Sequence, residues 1–206
     1  MKILMMLLAS LALAGCGSPA AFNYTLSPPV STATGSGVIT TPAPAKPVGP
    51  YALASVTVPP EADLSSLVVQ QTDGRVLVLV NDLWTAPLSS HLRTALSLEL
   101  TTRLGMPPIQ NLVSGTSEAG VTRIQVDVQR FDMVAGQYVA IHALWRIRFA
   151  GSNKVLTCFT RLQQPVSIGV SALVTGQQKN TQLLSAQIAE SLQTHANPAG
   201  AQCSNS

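Results

Sequence analysis

The longest regular pattern along this chain has a period of two. From Val121 to Met133 the sequence reads VTRIQVDVQRFDM, with Ile124, Val126 and Val128 on one side and Gln125, Asp127 and Gln129 on the other. After a loop around Gly136, YVAIHALWRIRF repeats it. Val139, Ile141, Ala143, Trp145, Ile147 and Phe149 face one way, while His142, Arg146 and Arg148 face the other. Successive side chains of a strand point to opposite faces, so these segments predict long antiparallel strands with one wet face. GSN at 151–153 then turns the chain into KVLTCFTRL, a third strand of the same meander. Upstream, YALASVTVP, LVVQQ and RVLVLV are β-rich, and the Asp73-Gly74 dipeptide between the last two predicts a hairpin.

A period near four appears twice. Leu88, Leu92, Leu96, Leu100 and Leu104, with Ala95 beside them, form one apolar helical face. Pro87 suits the first turn, Gly105 the left-handed cap, and Pro107-Pro108 forbids continuation. NDLWTAP, between the strand ending at Val80 and this helix, is expected to turn with Trp84 in it. His91 lies one residue off the apolar face with no histidine four residues on, which favours a solvated or capping role over a ligand. In NTQLLSAQIAESLQTH, Leu184, Ile188 and Leu192 make a second helical face. Strands, helix, meander, helix: the economical solution is a single α/β sandwich domain, its mixed and mostly antiparallel sheet carrying two main helices.

The ends of the chain add location. Lys2 followed by an apolar run from Ile3 to Leu13 predicts a signal peptide over 1–15, too short to remain as a membrane span. Leu13-Ala14-Gly15-Cys16 resembles the bacterial lipobox, in which the cysteine is acylated and becomes the new N-terminus. In such lipoproteins an Asp after the cysteine marks inner-membrane retention; Gly17 here implies the periplasmic face of the outer membrane. Residues 16–50 read as lipid anchor and Pro/Ser/Thr-rich linker, with a short strand at 22–26. The folded domain is expected over 51–196 and a tail over 197–206.

Cleavage after residue 15 leaves 191 of 206 residues, enough for one proper core. With 46% hydrophobic and only 10% charged residues, the surface must be solvated mostly by Ser, Thr, Gln and Asn. A formal charge of +3, without any Lys/Arg run, points away from nucleic acid. With Cys16 acylated, Cys158 and Cys203 remain, and an oxidising periplasm allows them to bridge or to stay as two thiols. Two cysteines alone make no zinc site.

Catalytic motifs are not found. Gly115-Thr-Ser117-Glu-Ala-Gly120 has the wrong spacing for a nucleophile elbow. Asp127 and Asp132 fall on opposite faces of a regular strand, which separates them as an acid pair. The expectation is a protein that is not an enzyme, with no cofactor and no metal.

The lipobox, Tyr24-Thr25-Leu26, VTVP at 56–59, LVLVNDLWTAPL, and VDVQRFD followed by a glycine and VAIHALWRI together resemble the PqiC/YmbA family of ABC-type transport auxiliary lipoproteins. The long Pro/Ser/Thr insert after Leu26, and the absence of an arginine in PPEADLSS at 59–66, depart from that pattern. The resemblance implies partners: an MCE-type periplasmic protein with its ABC transporter or permease, the outer membrane reached through the acyl chains, and a possible homo-oligomer. A second reading keeps the anchored α/β domain but makes it a chaperone or plug for an outer-membrane β-barrel of the lipopolysaccharide-translocon type. Trp84, Phe131 and Asp132 are the candidate partner residues, and Trp84 fits a core role as well as an anchor role.

Overall fold

The computed structural model describes residues 20–27, 48–110, 120–153, 155–195 and 199–205. The signal peptide, Cys16, most of the linker and Ser117 lie outside them. The strands are β1 (Phe22–Tyr24), β2 (Tyr51–Thr57), β3 (Ser66–Gln70), β4 (Val76–Trp84), β5 (Thr122–Val134), β6 (Tyr138–Arg148), β7 (Val155–Pro165) and β8 (Ala201–Asn205); the helices are α1 (Leu88–Leu104) and α2 (Val170–Thr194). They form one mixed sheet in the order β1-β4-β3-β5-β6-β7-β8, with β2 beside the first half of β5.

The alternating segments become the antiparallel meander β5-β6-β7, with β5 and β6 paired from Arg123↔Arg148 through Val134↔Tyr138 and one shift of register between Val128 and Arg130. Their apolar sides, Ile124, Val126 and Val128 with Ile141, Ala143, Trp145 and Ile147, are all buried. α2 lies over this face against β6 and β7, α1 packs beside it on α2 and β2, and every leucine of the row on α1 is buried. Each such side chain contributes about 2 kcal/mol relative to exposure. No helix or strand among the described residues covers the other face of the meander.

Gly105 takes the left-handed conformation (φ 74°) and its N–H closes on the Thr101 carbonyl at 2.9 Å, as its position predicts. Pro87 is the N-cap, with extended ψ of 143°, rather than a residue of the first turn. A proline cannot cap with its side chain, and Asp63 does so from 26 residues away. Its carboxylate accepts from the Ser89 N–H at 2.8 Å and the Ser89 hydroxyl at 3.0 Å, bringing negative charge to the positive end of α1. Arg93 donates to the carbonyls of Leu53 and Ala54, where the register of β2 against β5 slips. Tyr51 is buried; its hydroxyl donates to the Met106 carbonyl at 2.8 Å, and burial pushes it up to about 12, against a smaller opposing effect of Thr101.

Several expectations are corrected. The strand expected to stop at Val80 runs on to Trp84. His91 is buried, because β1 passes over it and places the Tyr24 carbonyl 3.2 Å from its Nε2. The second helix begins at Val170, ten residues before the NTQLL segment. Its early turns bury Gln177 and Asn180, whose amides donate to the carbonyls of Asp132 at 2.8 Å and Val139 at 3.4 Å. Gly176 lets this helix lie close on the sheet: a Cβ there would stand 2.6 Å from Val139 Cγ2 and 2.8 Å from Val166 Cγ1. The expected tail, 197–206, contains β8, which pairs with β7 and places Cys203 opposite Cys158. The two are joined as a disulfide, with Cα atoms 4.0 Å apart.

Candidate docking surface

Two of the expected partner residues sit where the strand β4 meets α1. Trp84 ends β4, and only 3% of it is exposed. Its ring meets His91 edge-on at 5.7 Å and Phe131 at 6.4 Å between centroids. The indole is therefore packed as a core group in this structure. Phe131 and Asp132 are half-buried. The same knot clamps the N-terminal strand. The Tyr24 hydroxyl donates to Asp82 at 2.9 Å, Leu26 is buried, and the Gln178 amide donates to the Thr25 carbonyl at 2.8 Å. Burial first, then the bond to Asp82 and its charge, raise the Tyr24 phenol above its ordinary range.

The surface with chemistry to offer is the uncovered face of the meander. β5 carries an irregularity between Val128 and Arg130, so that Val128 pairs with Ala143 but Arg130 with His142. One extra residue moves every later side chain to the other face. Asp132 thereby joins Asp127 on the open face, opposite to the expectation for a regular strand. Their partners on β6, Leu144 and Ala140, are four residues apart. That spacing is about 13 Å along a strand. Acid–base pairs of glycoside hydrolases stand within about 10 Å, so the two remain unsuited to that chemistry.

Five arginines share this face: Arg123, Arg146 and Arg148 near the β6–β7 turn, and Arg130 and Arg161 farther along. Arg123 and Arg148 stand directly opposite one another. Like charges so placed repel. Together with Arg146 they line a shallow cleft of about 630 Å³ closed by Gly151, Ser152 and Asn153. At the other end Arg130 pairs with Asp132 at 2.5 Å, and the Arg161 guanidinium lies 4.4 Å from the centre of the Phe159 ring. His142 sits between them, edge-on to Phe159 at 6.3 Å. Burial first, and then the charges of Arg130 and Arg161, lower its pKa below 6.5 against the opposing pull of Asp132. An imidazole so placed among arginines is suited to binding. Among the described residues no three His, Cys, Asp or Glu side chains gather as a metal site.

Sequence reasoning placed His142, Arg146 and Arg148 on this face through their alternation. It left out Arg123 and missed Arg130 and Arg161: Arg130 is turned by the bulge, and Arg161 lies in a strand read only in outline. The missing signal was arginine content itself, which looks scattered until the strands are laid side by side.

Comparison with known proteins gives three findings. Residues 24–189 match the family model of the ABC-type transport auxiliary lipoprotein component. None of the curated proteins matches the chain. Among solved structures, one described only as an uncharacterized protein shares 19% identity and a TM-score of 0.63, over 84% of this chain and 99% of its own. A Xanthomonas campestris protein of the family DUF330 shares 16% identity and a TM-score of 0.57, over 73% of this chain and 88% of its own. At these identities the two structures speak for the fold alone.

Proposed function

Because the chain belongs to the family of ABC-type transport auxiliary lipoprotein components, we propose that it is the non-catalytic outer-membrane subunit of an MCE-type lipid transport system. Acylated at Cys16, it stands on the periplasmic face of the outer membrane. There it receives the periplasm-spanning MCE protein, which an inner-membrane ABC transporter or permease supplies. The observation that carries this reading is the open face of β5-β6-β7. It sets five arginines against two aspartates in a chain with few charges, and both helices lie on its other side. A surface of that kind favours an acidic protein partner, with charge guiding encounter and the aromatic and aliphatic groups between the arginines supplying contact area.

The test is capture of a purified MCE-type periplasmic protein. Wild type should retain it at low salt and release part of it as ionic strength rises, because exposed charges are screened. Arg146→Glu with Arg148→Glu should abolish capture while leaving the melting temperature within about 2 °C, since exposed substitutions cost little stability. Full capture by that double variant would remove the open face from the mechanism. The Cys16→Ala precursor should leave the outer-membrane fraction; if it fractionates like wild type, the anchor assignment fails.

A further inference from the structure

At one end of the sheet the polar surface gives way to exposed aliphatic side chains. In β4, Val76 is 59% exposed, Leu77 41%, Val78 51% and Val80 78%. Ile168, which follows β7, is 90% exposed. These groups share an end. The hairpin turn follows Gln70, which pairs with Val134 next to the β5–β6 turn. Ile168 leans on Gly136 in that same turn, and the Val166 N–H donates to Gln137 at 3.1 Å. Among the described residues nothing else pairs with the outer edge of β4, where β1 meets only Asp82, Leu83 and Trp84. No lysine or proline stands between Val76 and Val80. Proteins ordinarily blunt an apolar edge strand with such residues, and an exposed aliphatic patch marks a place of contact.

The direction of the chain says what the contact is. β1 runs parallel to β4, so the chain enters β1 from the side of the hairpin turn. Phe22 pairs with Asp82, six residues beyond Val76, and Cys16 precedes Phe22 by the same six residues. A fully extended chain of that length spans about 20 Å, the run of β4 from Asp82 back to Val76. The leash is no longer than the strand whose end it can reach. A bilayer holding the acyl chains of Cys16 must therefore lie within that reach of Phe22.

We propose that this end of the domain, Val76 to Val80 with Ile168, rests against the lipid bilayer and fixes the orientation of the domain on the membrane. The inference rests on acylation of Cys16. The local charges suit a lipid surface: Asp73 and Arg75 in the hairpin turn neutralise each other at 2.7 Å, and Lys179 lies beside Ile168 within reach of headgroup phosphates. The arginine cleft at Gly151–Asn153 then points away from the membrane, toward the periplasm.

The experiment uses the unacylated mature chain, coupled through the Cys16 thiol to a maleimide lipid in vesicles of phosphatidylethanolamine and phosphatidylglycerol. Backbone hydrogen exchange is read with and without the vesicles. Amides of 76–81 and 166–169 should exchange roughly tenfold more slowly on the vesicle, and those of 150–153 should be unchanged. Val78→Asp with Val80→Asp should lose that protection while remaining tethered. Protection confined to 150–153, or none anywhere, overturns the proposal. So does equal protection in free solution that grows with protein concentration, which would assign the edge to a second copy. Chemical coupling makes the result independent of acylation in the cell, which is read separately from the mass of the N-terminal peptide.

Discussion

Replacing Trp84 by alanine separates a core residue from an interface anchor. The side chain is 3% exposed and held edge-on between His91 and Phe131. Deleting a buried indole removes its transfer free energy and leaves a cavity, together about 3–5 kcal/mol. The two ring contacts lie inside that figure, at roughly 0.5–1.5 kcal/mol each. The surroundings resist collapse. The Asp63 cap fixes the start of α1, the bond from the Trp84 N–H to the Ser65 carbonyl (2.6 Å) fixes the end of β4, and β1 covers His91. The upper half of the range, near 4 kcal/mol, is therefore expected. At about 2–4 °C per kcal/mol for a domain of this size, melting should fall by about 8–16 °C. Calorimetry of the mature domain measures this directly. Fluorescence gives a second reading, because Trp145 is the only other tryptophan and its indole donates to Thr160 at 3.0 Å. Its emission should stay that of a buried ring below the new midpoint. Capture of the MCE partner, measured well below that midpoint, should be retained. A midpoint within 1 °C of wild type together with lost capture would refute the core assignment and make Trp84 an anchor after all.

The denatured, non-reduced mature protein should titrate no thiol from Cys158 or Cys203, and Cys203→Ser should lose about 4 kcal/mol in urea unfolding, the chain-entropy value for a separation of 45 residues. Gly176→Ala should destabilise by about 1–3 kcal/mol through the clash with Val139 and Val166, although alanine favours a helix by about 1 kcal/mol; adding Val139→Ala should recover part of the loss, and a more stable single variant would contradict the close approach. His142 is held neutral in the fold, with its pKa lowered below 6.5, so the unfolded chain takes up its proton first as pH falls. Stability from this group is complete above pH 6.5 and declines as pH drops from there through the lowered value; His142→Gln should flatten that stretch of the stability–pH curve, and an unchanged slope would discount the residue.

The elements read correctly in the sequence are those whose local period matches their burial. β5 and β6 alternate because one face meets helices and the other water. The leucine row of α1 recurs because a single helical stripe is covered. Reading failed where burial and polarity part company. The first turns of α2 were invisible because the inward positions at Gln177, Asn180 and Thr181 are polar and serve strand carbonyls or their own helix, which erases the apolar stripe. The bulge after Val128 left no mark, since Gln129 and Arg130 are both polar and an inserted polar residue looks like continued alternation. That single residue moved Asp132 and Arg130 to the open face. β8 is short and polar, and it becomes a strand through its partner β7 and the bridge to Cys158. Trp84 was placed beyond a strand end because asparagine and aspartate at 81 and 82 look like a turn; Asp82 is instead held by the Tyr24 hydroxyl.

Under the proposed function the chain is tethered to one membrane and grasped by a machine rooted in another, and it is pulled. The tension enters at β1, whose three residues lie alongside the last three of β4, and a pull along the strand axis acts on both. Pulling in that direction loads the rungs between the two strands together, in shear, whereas a leash leaving across the strand would peel them one at a time. Behind those rungs the Tyr24–Asp82 bond, the buried Leu26 and the strap from Gln178 share the load and pass it to α2. From there it spreads into the meander that carries the arginine face. β1 is the shortest strand among the described residues, and under the proposed function it is the one through which mechanical work between the two membranes travels.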